Sequence, residues 1–233
     1  MTGRLYGVGL GPGDPELLTL KAARLIAGAS VVAYPALTGG ASFARSIAAG
    51  LIPAGCREIV MDVPMTVERA PAQAAYDTGA EEIAAALESG ADVVCLCEGD
   101  PFFYGSFMYL FARLSGRFEV EVVPGVTSVS ACSARAGRPL VARNERLTVL
   151  PGPLPGAELR ERIGGAEAVA ILKVGRHMAK IRGVFAELGL LDKAVYVARV
   201  GLPDEVVCPL AQAPEAAPYF SMILMNRGDD PWL

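Results

Sequence analysis

The stretch Arg4 to Asp14 reads RLYGVGLGPGD, and residues 15–25 continue it as PELLTLKAARL. A short apolar run, a glycine-rich turn and a helical pattern in this order predict a strand, a loop and a helix. Glycine lets the backbone turn sharply and come close to a bound molecule. We therefore interpret this stretch as a binding loop, with a purely structural tight turn as the alternative.

The spacing of this loop argues against a dinucleotide ligand. In the fingerprint of dinucleotide-binding folds, the third glycine would fall here on Pro12 or on Asp14, depending on where the count starts. Asp14 is predicted to be the N-cap of the helix, with Pro15 at its first position and Glu16 behind it. Two carboxylates and a residue without an N–H group disfavour a pyrophosphate at that helix start. A cationic or neutral ligand fits better.

Composition limits the class of protein. The chain has 233 residues, of which 52% are hydrophobic and 20% charged, and its net charge is −4. No apolar run reaches the roughly 18 residues of a membrane helix, and the start MTGRLYGV lacks the features of an export leader. The negative charge argues against a nucleic-acid partner. We expect a cytoplasmic protein that acts on a small molecule, with no membrane or nucleic-acid partner.

The cysteines and the single histidine give no support for a metal site. There are five cysteines without a CxxC spacing, and His177 is the only histidine. Cys95 and Cys97 alternate inside a strongly apolar run, which is typical of small buried residues in a strand. We predict no protein-bound metal.

The first half of the chain alternates between strand and helix patterns. Strands are predicted at 30–34, 57–61, 92–97 and 120–123, and helices at 42–49, 72–89, 107–114 and 129–136. Pro35 is expected to stop the strand that precedes it. The nearly continuous apolar run 92–97 is typical of a strand that is covered on both faces in a parallel sheet.

The first strand of the chain and the strands at 92–97 and 120–123 end in loops rich in Gly, Pro, Asp, Ser and Thr. The loops read GVGLGPGD (7–14), EGDPFFYGS (98–106) and PGVTS (124–128). Open parallel sheets bind ligands at the carboxyl ends of their strands. We therefore expect the three loops to form one side of a shared ligand cleft.

The composition shifts near RNERLTVLPGPLPG, which has a polar start and three prolines. We place a domain boundary there, giving an N-terminal α/β domain at 1–144 and a C-terminal α/β domain at 145–233. The second domain is predicted to hold strands at 147–150, 168–174, 194–200, near Val206 and at 219–226, and a helix at 178–188. Strand direction in its sheet is expected to be mixed.

Taken together, GVGLGPGD, EGDPFFYGS and VVPGVTSVSA resemble the tetrapyrrole methylase family, as do LKVGRH and VARVG in the second half. The order and spacing of these motifs cover nearly the whole chain. The resemblance implies two α/β domains that face each other across a cleft, and a homodimer. It also implies transfer of a methyl group from S-adenosyl-methionine to a corrin precursor.

Within the family, three stretches most resemble the methylases that act on carbon 20, a meso position of precorrin-2. They are VVAYPA at 31–36, VPMT at 63–66 and YFSMIL at 219–224. Uroporphyrinogen methylases that resemble this chain carry an aspartate, assigned as the proton acceptor, where Pro35 stands here, so that assignment is not carried over. We expect metal-free precorrin-2 as the substrate, with its cobalt-bearing counterpart as the alternative. From other classes, a nicotinamide-dependent oxidoreductase and a non-catalytic partner module remain open.

The resemblance also implies site residues. By that resemblance the methyl donor contacts Pro12, Gly99, Asp100, Pro101, Tyr104, Thr127, Ser128, Val174, Ala198, Arg199, Val200, Ser221, Met222 and Ile223. Substrate contacts are expected at Gly11, Gly13, Tyr34, Arg135 and Arg138. The two arginines are chosen because precorrins carry many carboxylates, which guanidinium groups bind well.

Methylation at carbon 20 must be followed by loss of a proton. The possible acceptors are Asp14, Glu98, Asp100, Asp62, Tyr34 and Tyr104, and of these Asp100, Tyr104 and Asp14 are the catalytic candidates. A structural role stays open for each of them: a turn for Asp100, packing for Tyr104 and a helix cap for Asp14. Glu98 and Asp62 are expected to be solvated loop charges. Because the bound reactants must be held close together, we expect positioning by the loops to outweigh any single catalytic side chain.

Overall fold

The computed structural model describes residues 2–64 and 69–228, which form two compact units that divide after Thr127. Both units are built from α-helices and β-strands. Of the motifs used above, Met65 and Thr66 lie outside the described residues. No helix in the described ranges combines the length and the apolar character that crossing a bilayer requires.

The first unit holds five strands and four helices in alternating order. In chain order they are β1 (Leu5–Gly9), α1 (Leu20–Ala27), β2 (Val31–Leu37), α2 (Phe43–Ala48), β3 (Arg57–Val63), α3 (Arg69–Glu88), β4 (Val93–Cys97), α4 (Phe107–Leu114) and β5 (Val120–Val123). The strands pair in the order β3-β2-β4-β1-β5, and every pairing is parallel. All five strands therefore end at the same edge of the sheet.

Helices cover both faces of this sheet, as the apolar run of β4 predicts. Val93, Cys95 and Cys97 belong to the core on the α3 and α4 side, whereas Val94 and Leu96 belong to the core on the α1 and α2 side. Every residue of β4 is buried. Because neighbouring residues of a strand point to opposite faces, one apolar strand supplies both cores and anchors the centre of the unit.

The second unit holds five strands and three helices. They are α5 (Ser128–Ala136), β6 (Leu147–Pro151), α6 (Gly156–Gly164), β7 (Ala168–Leu172), α7 (Met178–Glu187), β8 (Ala194–Ala198), β9 (Val206–Pro209) and β10 (Ser221–Asn226). The strand order is β6-β7-β10-β8-β9. Of the neighbouring pairs, β6–β7 is parallel, whereas β7–β10, β10–β8 and β8–β9 are antiparallel. The mixed direction predicted from the sequence is confirmed.

The division between the units lies earlier than the predicted 144/145. Helix α5 belongs to the second unit because it packs against β8, β9 and β10. The composition shift near residue 145 therefore marks the loop before β6, not the point where the two cores separate. Helix α6 was not predicted. It has only two buried apolar residues, Leu159 and Ile163, which are spaced one turn apart.

Strand β2 does not stop at Pro35, as the sequence analysis expected, but continues to Leu37. Its pairing with β4 ends at Ala33 and Cys95, whereas its pairing with β3 continues to the end of the strand. Pro35 therefore lies where β2 has a partner on one side, and a strand tolerates the missing N–H group there.

The helix after β1 also differs from its prediction. Asp14 caps only a single 3-10 turn, Pro15–Leu17, by accepting the N–H of Glu16 at 2.9 Å. Leu18 is extended, and α1 begins at Leu20 with Thr19 as its N-cap. The Oγ1 atom of Thr19 accepts the N–H of Ala22 at 3.1 Å. The correct cap thus lies five residues beyond the predicted one.

We expect Thr19→Ala to lower the free energy of unfolding by about 1 kcal/mol, because an unsatisfied helix N-terminus costs that much. Urea unfolding measures the change. Thr19→Ser keeps the hydroxyl and is expected to stay near wild type. Asp14→Ala is expected to cost less than Thr19→Ala, since no α-helix begins at Asp14. A larger loss for Asp14→Ala would instead make Asp14 the main cap.

Candidate functional site

The loops after β1, β4 and β5 lie together at the carboxyl edge of the first sheet. Strand β1 pairs with β4 on one side and with β5 on the other. Gly11 and Gly99 exchange backbone hydrogen bonds of 3.2 and 2.8 Å, which extends the β1–β4 contact into the loops. The juxtaposition predicted from the three motifs is therefore confirmed within this unit.

Glycine is required where these loops touch. A Cβ atom on Gly125 would lie 2.1 Å from the carbonyl oxygen of Gly99, and one on Gly9 would lie 2.6 Å from the backbone nitrogen of Gly125. Gly99 itself has φ +64°, in the left-handed region that favours glycine. The loops thus meet backbone to backbone and leave main-chain groups at the edge of the sheet.

Asp100 ties two of the loops together. Its Oδ1 atom accepts the N–H groups of Phe102 and Phe103 at 2.9 and 3.1 Å, and its Oδ2 atom accepts the N–H of Gly125 at 3.0 Å. Three backbone donors on one carboxylate fix the turn after β4 against the turn after β5. Asp100 therefore has the turn-organising role that the sequence analysis left open.

Tyr104 stands in a strained backbone conformation at the same edge. Its φ is +58°, which costs a non-glycine residue about 1–3 kcal/mol, and its side chain is 43% exposed. A Cβ on the next residue, Gly105, would lie 2.4 Å from the carbonyl oxygen of Asp100. Strain that is held in place by such close packing is typical of functional sites.

A second edge is found in the other unit, where the predicted residues of β7, β8 and β10 come together. Strand β10 pairs antiparallel with both β7 and β8, so its first residues lie beside the carboxyl ends of both. Ser221 pairs with Ala198, and Met222 pairs with Leu172. The donor contacts predicted in the second half of the chain therefore share one edge of the second sheet. They are Val174, Ala198, Arg199, Val200, Ser221, Met222 and Ile223.

This second edge is also strained. Lys173 and Arg199, which directly follow β7 and β8, have φ values of +57° and +51°. The N–H of Arg199 bonds to the carbonyl oxygen of Phe220 at 2.8 Å, and its guanidinium pairs with Asp204. The sequence did not reveal the backbone strain at these two positions, because positive φ at a non-glycine residue has no reliable sequence signal.

Comparison with known proteins shows the family. A family model described as tetrapyrrole (corrin/porphyrin) methylases matches residues 4–214. The chain belongs to this family. The family predicted from the motifs is therefore confirmed.

Relatives of this tetrapyrrole methylase include two enzymes that are both named as C(20)-methyltransferases. It is 45% identical over 98% of its length to a precorrin-2 C(20)-methyltransferase of a Sinorhizobium species, of which it covers 97%. It is 31% identical over 97% of its length to a cobalt-precorrin-2 C(20)-methyltransferase of Salmonella typhimurium, of which it covers 98%.

A solved structure supports the fold of this tetrapyrrole methylase. The uroporphyrin-III C-methyltransferase of Thermus thermophilus, crystallised in complex with S-adenyl homocysteine, is similar with a TM-score of 0.69 and 28% identity. The match covers 96% of this chain and 92% of that one.

Three of the predicted substrate residues of this tetrapyrrole methylase already have partners. Tyr34 is buried, and its hydroxyl donates to Glu58. Arg135 Nε lies 2.7 Å from Glu205 Oε1, and Arg138 Nη1 donates to the carbonyl oxygen of Lys193 at 3.0 Å. Their contact with substrate stays a prediction, and it would have to compete with these bonds.

Glu58, which accepts the Tyr34 hydroxyl, also forms an ion pair with Arg45. Arg45 contacts both carboxylate oxygens of Glu58, from Nε at 2.7 Å and from Nη2 at 2.8 Å. This fork, together with the Tyr34 hydroxyl, lowers the pKa of Glu58 to about 2. Burial raises the pKa of Tyr34, and the neighbouring Glu58 carboxylate raises it further. Tyr34 is therefore a poor proton acceptor at neutral pH.

The remaining predicted residues lie around the first edge. Gly11, Pro12 and Gly13 form the turn after β1, where Gly11 has φ +75°. Thr127 ends the loop after β5, and Ser128 is the first residue of α5. Their contacts with ligand stay predictions, as do those of Gly99, Pro101 and Tyr104.

Glu98 is the residue whose environment was misjudged. It follows β4 directly and is partly buried, whereas the sequence analysis expected a solvated loop charge. Burial raises the pKa of Glu98, and N–H contacts from its own backbone and from Ala44 oppose this only in part. Its position directly after an entirely buried strand was the available signal. No cluster of three metal-ligating side chains occurs among the described residues.

We expect Gly125→Ala to lower the free energy of unfolding by about 1–3 kcal/mol, because the new methyl group would overlap backbone atoms of Gly99 and Gly9. Chemical denaturation measures the loss. Gly116→Ala is the matched control, since its Cβ would meet nothing within 4 Å and its φ is not positive. Equal stability of the two variants would contradict the close packing of the loops.

Proposed function

We propose that this tetrapyrrole methylase transfers a methyl group from S-adenosyl-methionine to carbon 20 of precorrin-2, giving precorrin-3A in cobalamin biosynthesis. The observation that carries the proposal is the 45% identity, over nearly the whole of both chains, to an enzyme named for that reaction. The identity to the cobalt-precorrin-2 enzyme is 31%, which favours the metal-free substrate. The cobalt-bearing counterpart remains the second candidate.

The loops at the edge of the first sheet fit a cationic donor. Residues 7–16, 98–106 and 124–127 include no lysine or arginine, but they carry the carboxylates of Asp14, Glu16, Glu98 and Asp100. When bound, S-adenosyl-methionine supplies an electrophilic methyl group on a positively charged sulfonium. A negative, backbone-lined edge attracts such a molecule and repels a phosphate-bearing one.

The same geometry disfavours the nicotinamide alternative. A dinucleotide-binding fold presents its pyrophosphate to the N-terminus of the helix that follows the first glycine-rich loop. Here a 3-10 turn and an extended Leu18 separate the loop from α1, which begins at Leu20. The loop therefore has no adjacent helix N-terminus to hold a pyrophosphate.

We propose that main-chain groups of Pro12, Gly99, Pro101, Tyr104 and Thr127 contact the donor, with Asp100 holding their loops in place. The residues predicted at the edge of the second sheet are proposed contacts as well. The side chains of Val174, Met222 and Ile223 are buried in the unit, so such contacts would come from their backbone. Ser221 donates its hydroxyl to the carbonyl oxygen of Pro218 at 2.6 Å and keeps its oxygen as an acceptor.

The substrate is an electron-rich macrocycle, so its carbon is already nucleophilic and the main task of the protein is positioning. Holding two reactants at reacting distance contributes about 7–11 kcal/mol, whereas one general base contributes a factor of about 10²–10⁴. Rigid loops with closely packed glycines suit this task.

We further expect the enzyme to be a cytoplasmic homodimer. Light scattering of the purified protein tests whether it is a dimer.

The experiment that tests the function supplies the purified enzyme with S-adenosyl-methionine and either precorrin-2 or cobalt-precorrin-2. We expect a methylated product from precorrin-2, detected by mass and by the change in absorbance, and a lower kcat/KM for the cobalt compound. Higher kcat/KM with the cobalt compound would reverse the substrate assignment. Turnover of neither, together with saturable binding of reduced nicotinamide dinucleotide, would favour the oxidoreductase.

Asp100→Asn is expected to weaken binding of S-adenosyl-homocysteine by about 10–100-fold, because an amide loses at least one charge-assisted bond to the loop backbone. The turnover rate of the saturated enzyme is expected to change less. Isothermal calorimetry and steady-state kinetics separate the two effects. Asp77→Asn removes the same charge from the surface of α3 and serves as the control. Unchanged affinity in Asp100→Asn would reject its loop-holding role in donor binding.

A further inference from the structure

The proposed reaction leaves a proton to be removed. As the methyl group moves, the bond from sulfur to carbon breaks with its electron pair remaining on sulfur, and a π-electron pair of the macrocycle forms the new bond at carbon 20. The macrocycle then carries a positive charge and must release the hydrogen of carbon 20 as a proton. That proton needs an acceptor. The inference below rests on the proposed function.

We propose that the carboxylate of Glu98 accepts this proton and then returns it to solvent. No residue was assigned this role on the resemblance, and the sequence analysis expected Glu98, one of the possible acceptors, to be a solvated loop charge. The assignment depends on which carboxylates at the edge of the first sheet can accept a proton without dismantling the loops.

Asp100 is excluded by its hydrogen bonds. Both of its oxygens already accept backbone N–H groups, from Phe102, Phe103 and Gly125. Protonating this carboxylate would weaken all three bonds, which hold the loops after β4 and β5. Asp100 therefore acts as a positioning residue for these loops.

The other candidates are placed less well. Asp14 caps the 3-10 turn through Oδ1 and stands beside a second carboxylate, Glu16, in a partly exposed turn. Asp62 is exposed on β3, the edge strand of the sheet. Tyr34 donates its hydroxyl to Glu58. Tyr104 is 43% exposed to solvent.

Glu98 has a rigid backbone at the centre of the edge. The residue before it, Cys97, accepts the N–H of Leu10 at 2.9 Å, and the residue after it, Gly99, donates to Gly11 at 2.8 Å. These bonds hold the chain on both sides of Glu98 against the loop after β1. A catalytic group needs such a fixed backbone to keep its reacting atom in place.

The side chain of Glu98 is directed to one face of the sheet. Cys97 packs in the core on the α3 and α4 side, so strand alternation turns Glu98 toward the α1 and α2 side, in agreement with its contact to the N–H of Ala44. In the described part of the chain, β2 stops pairing with β4 at Ala33 and Cys95. The carboxylate therefore lies where two neighbouring strands have separated.

The surroundings suit a base. Burial raises the pKa of Glu98, and a carboxylate of raised pKa holds a transferred proton better than a solvated one. Its charge reaches the thiol of Cys97 and the phenol of Tyr76 on α3. Burial raises the pKa of both groups, and the Glu98 carboxylate raises it further. Arg45 of α2 is paired with Glu58, and no ion pair to Glu98 occurs among the described residues.

The first test is kinetic. Glu98→Gln is expected to lower kcat for precorrin-2 by about 10²–10⁴-fold while the affinity for S-adenosyl-homocysteine stays within about threefold. In the wild type, kcat falls as pH drops through the pKa of Glu98, because the protonated acid cannot accept a proton, and this acid limb is absent from Glu98→Gln. Glu98→Asp is expected to retain part of the activity with its acid limb at lower pH. Glu82→Gln removes a carboxylate from the exposed surface of α3 and is the matched control, expected to behave as wild type.

The second test does not depend on methyl transfer. Wild-type enzyme, precorrin-2 and S-adenosyl-homocysteine are incubated in D₂O, and mass spectrometry follows exchange of the hydrogen at carbon 20. We expect exchange above the enzyme-free rate in the wild type and in Glu82→Gln, but not in Glu98→Gln. Wild-type exchange in Glu98→Gln, or a kcat within threefold of wild type, would overturn the assignment. Failure of the wild type to methylate precorrin-2 would instead count against the proposed function.

Discussion

The close approach of three backbone segments, at Gly9, Gly99 and Gly125, is the constraint on which the candidate site depends. A Cβ atom on Gly9 or on Gly125 would overlap main-chain atoms, so the loops after β1, β4 and β5 approach one another backbone to backbone. One carboxylate, that of Asp100, then locks the arrangement by accepting three N–H groups. A binding edge built this way is rigid and exposes main-chain polar groups, which suits recognition by positioning.

Electrostatics determine which ligand this edge accepts. The loops carry carboxylates and no basic side chain, and the first helix begins too far along the chain to receive a phosphate group. The two carboxylates nearest the end of β4 differ in environment. Asp100 accepts three backbone N–H groups, whereas burial raises the pKa of Glu98. Neighbouring acids held in such different environments can divide structural and proton-transfer work between them.

Backbone strain marks both edges. Tyr104 follows the turn after β4, and Lys173 and Arg199 follow β7 and β8, all with positive φ at non-glycine residues. These conformations persist only where the surrounding contacts enforce them, as at Arg199, where the N–H is held by Phe220 and the guanidinium by Asp204. The strained residues lie in a chain that belongs to the tetrapyrrole methylase family and is 45% identical to a precorrin-2 C(20)-methyltransferase.

The sequence alone determined the α/β class, the parallel character of β4, the three loops at one edge and the family, because apolar periodicity and glycine-rich motifs are local in the chain. It did not determine that Thr19 caps α1, that β2 passes Pro35, or that α5 joins the second unit. Each of these depends on which strand or helix packs alongside, and that is a tertiary fact. The environments of Asp100 and Glu98 were likewise decided only by folding, since a carboxylate's role depends on the donors and the burial that distant segments bring to it.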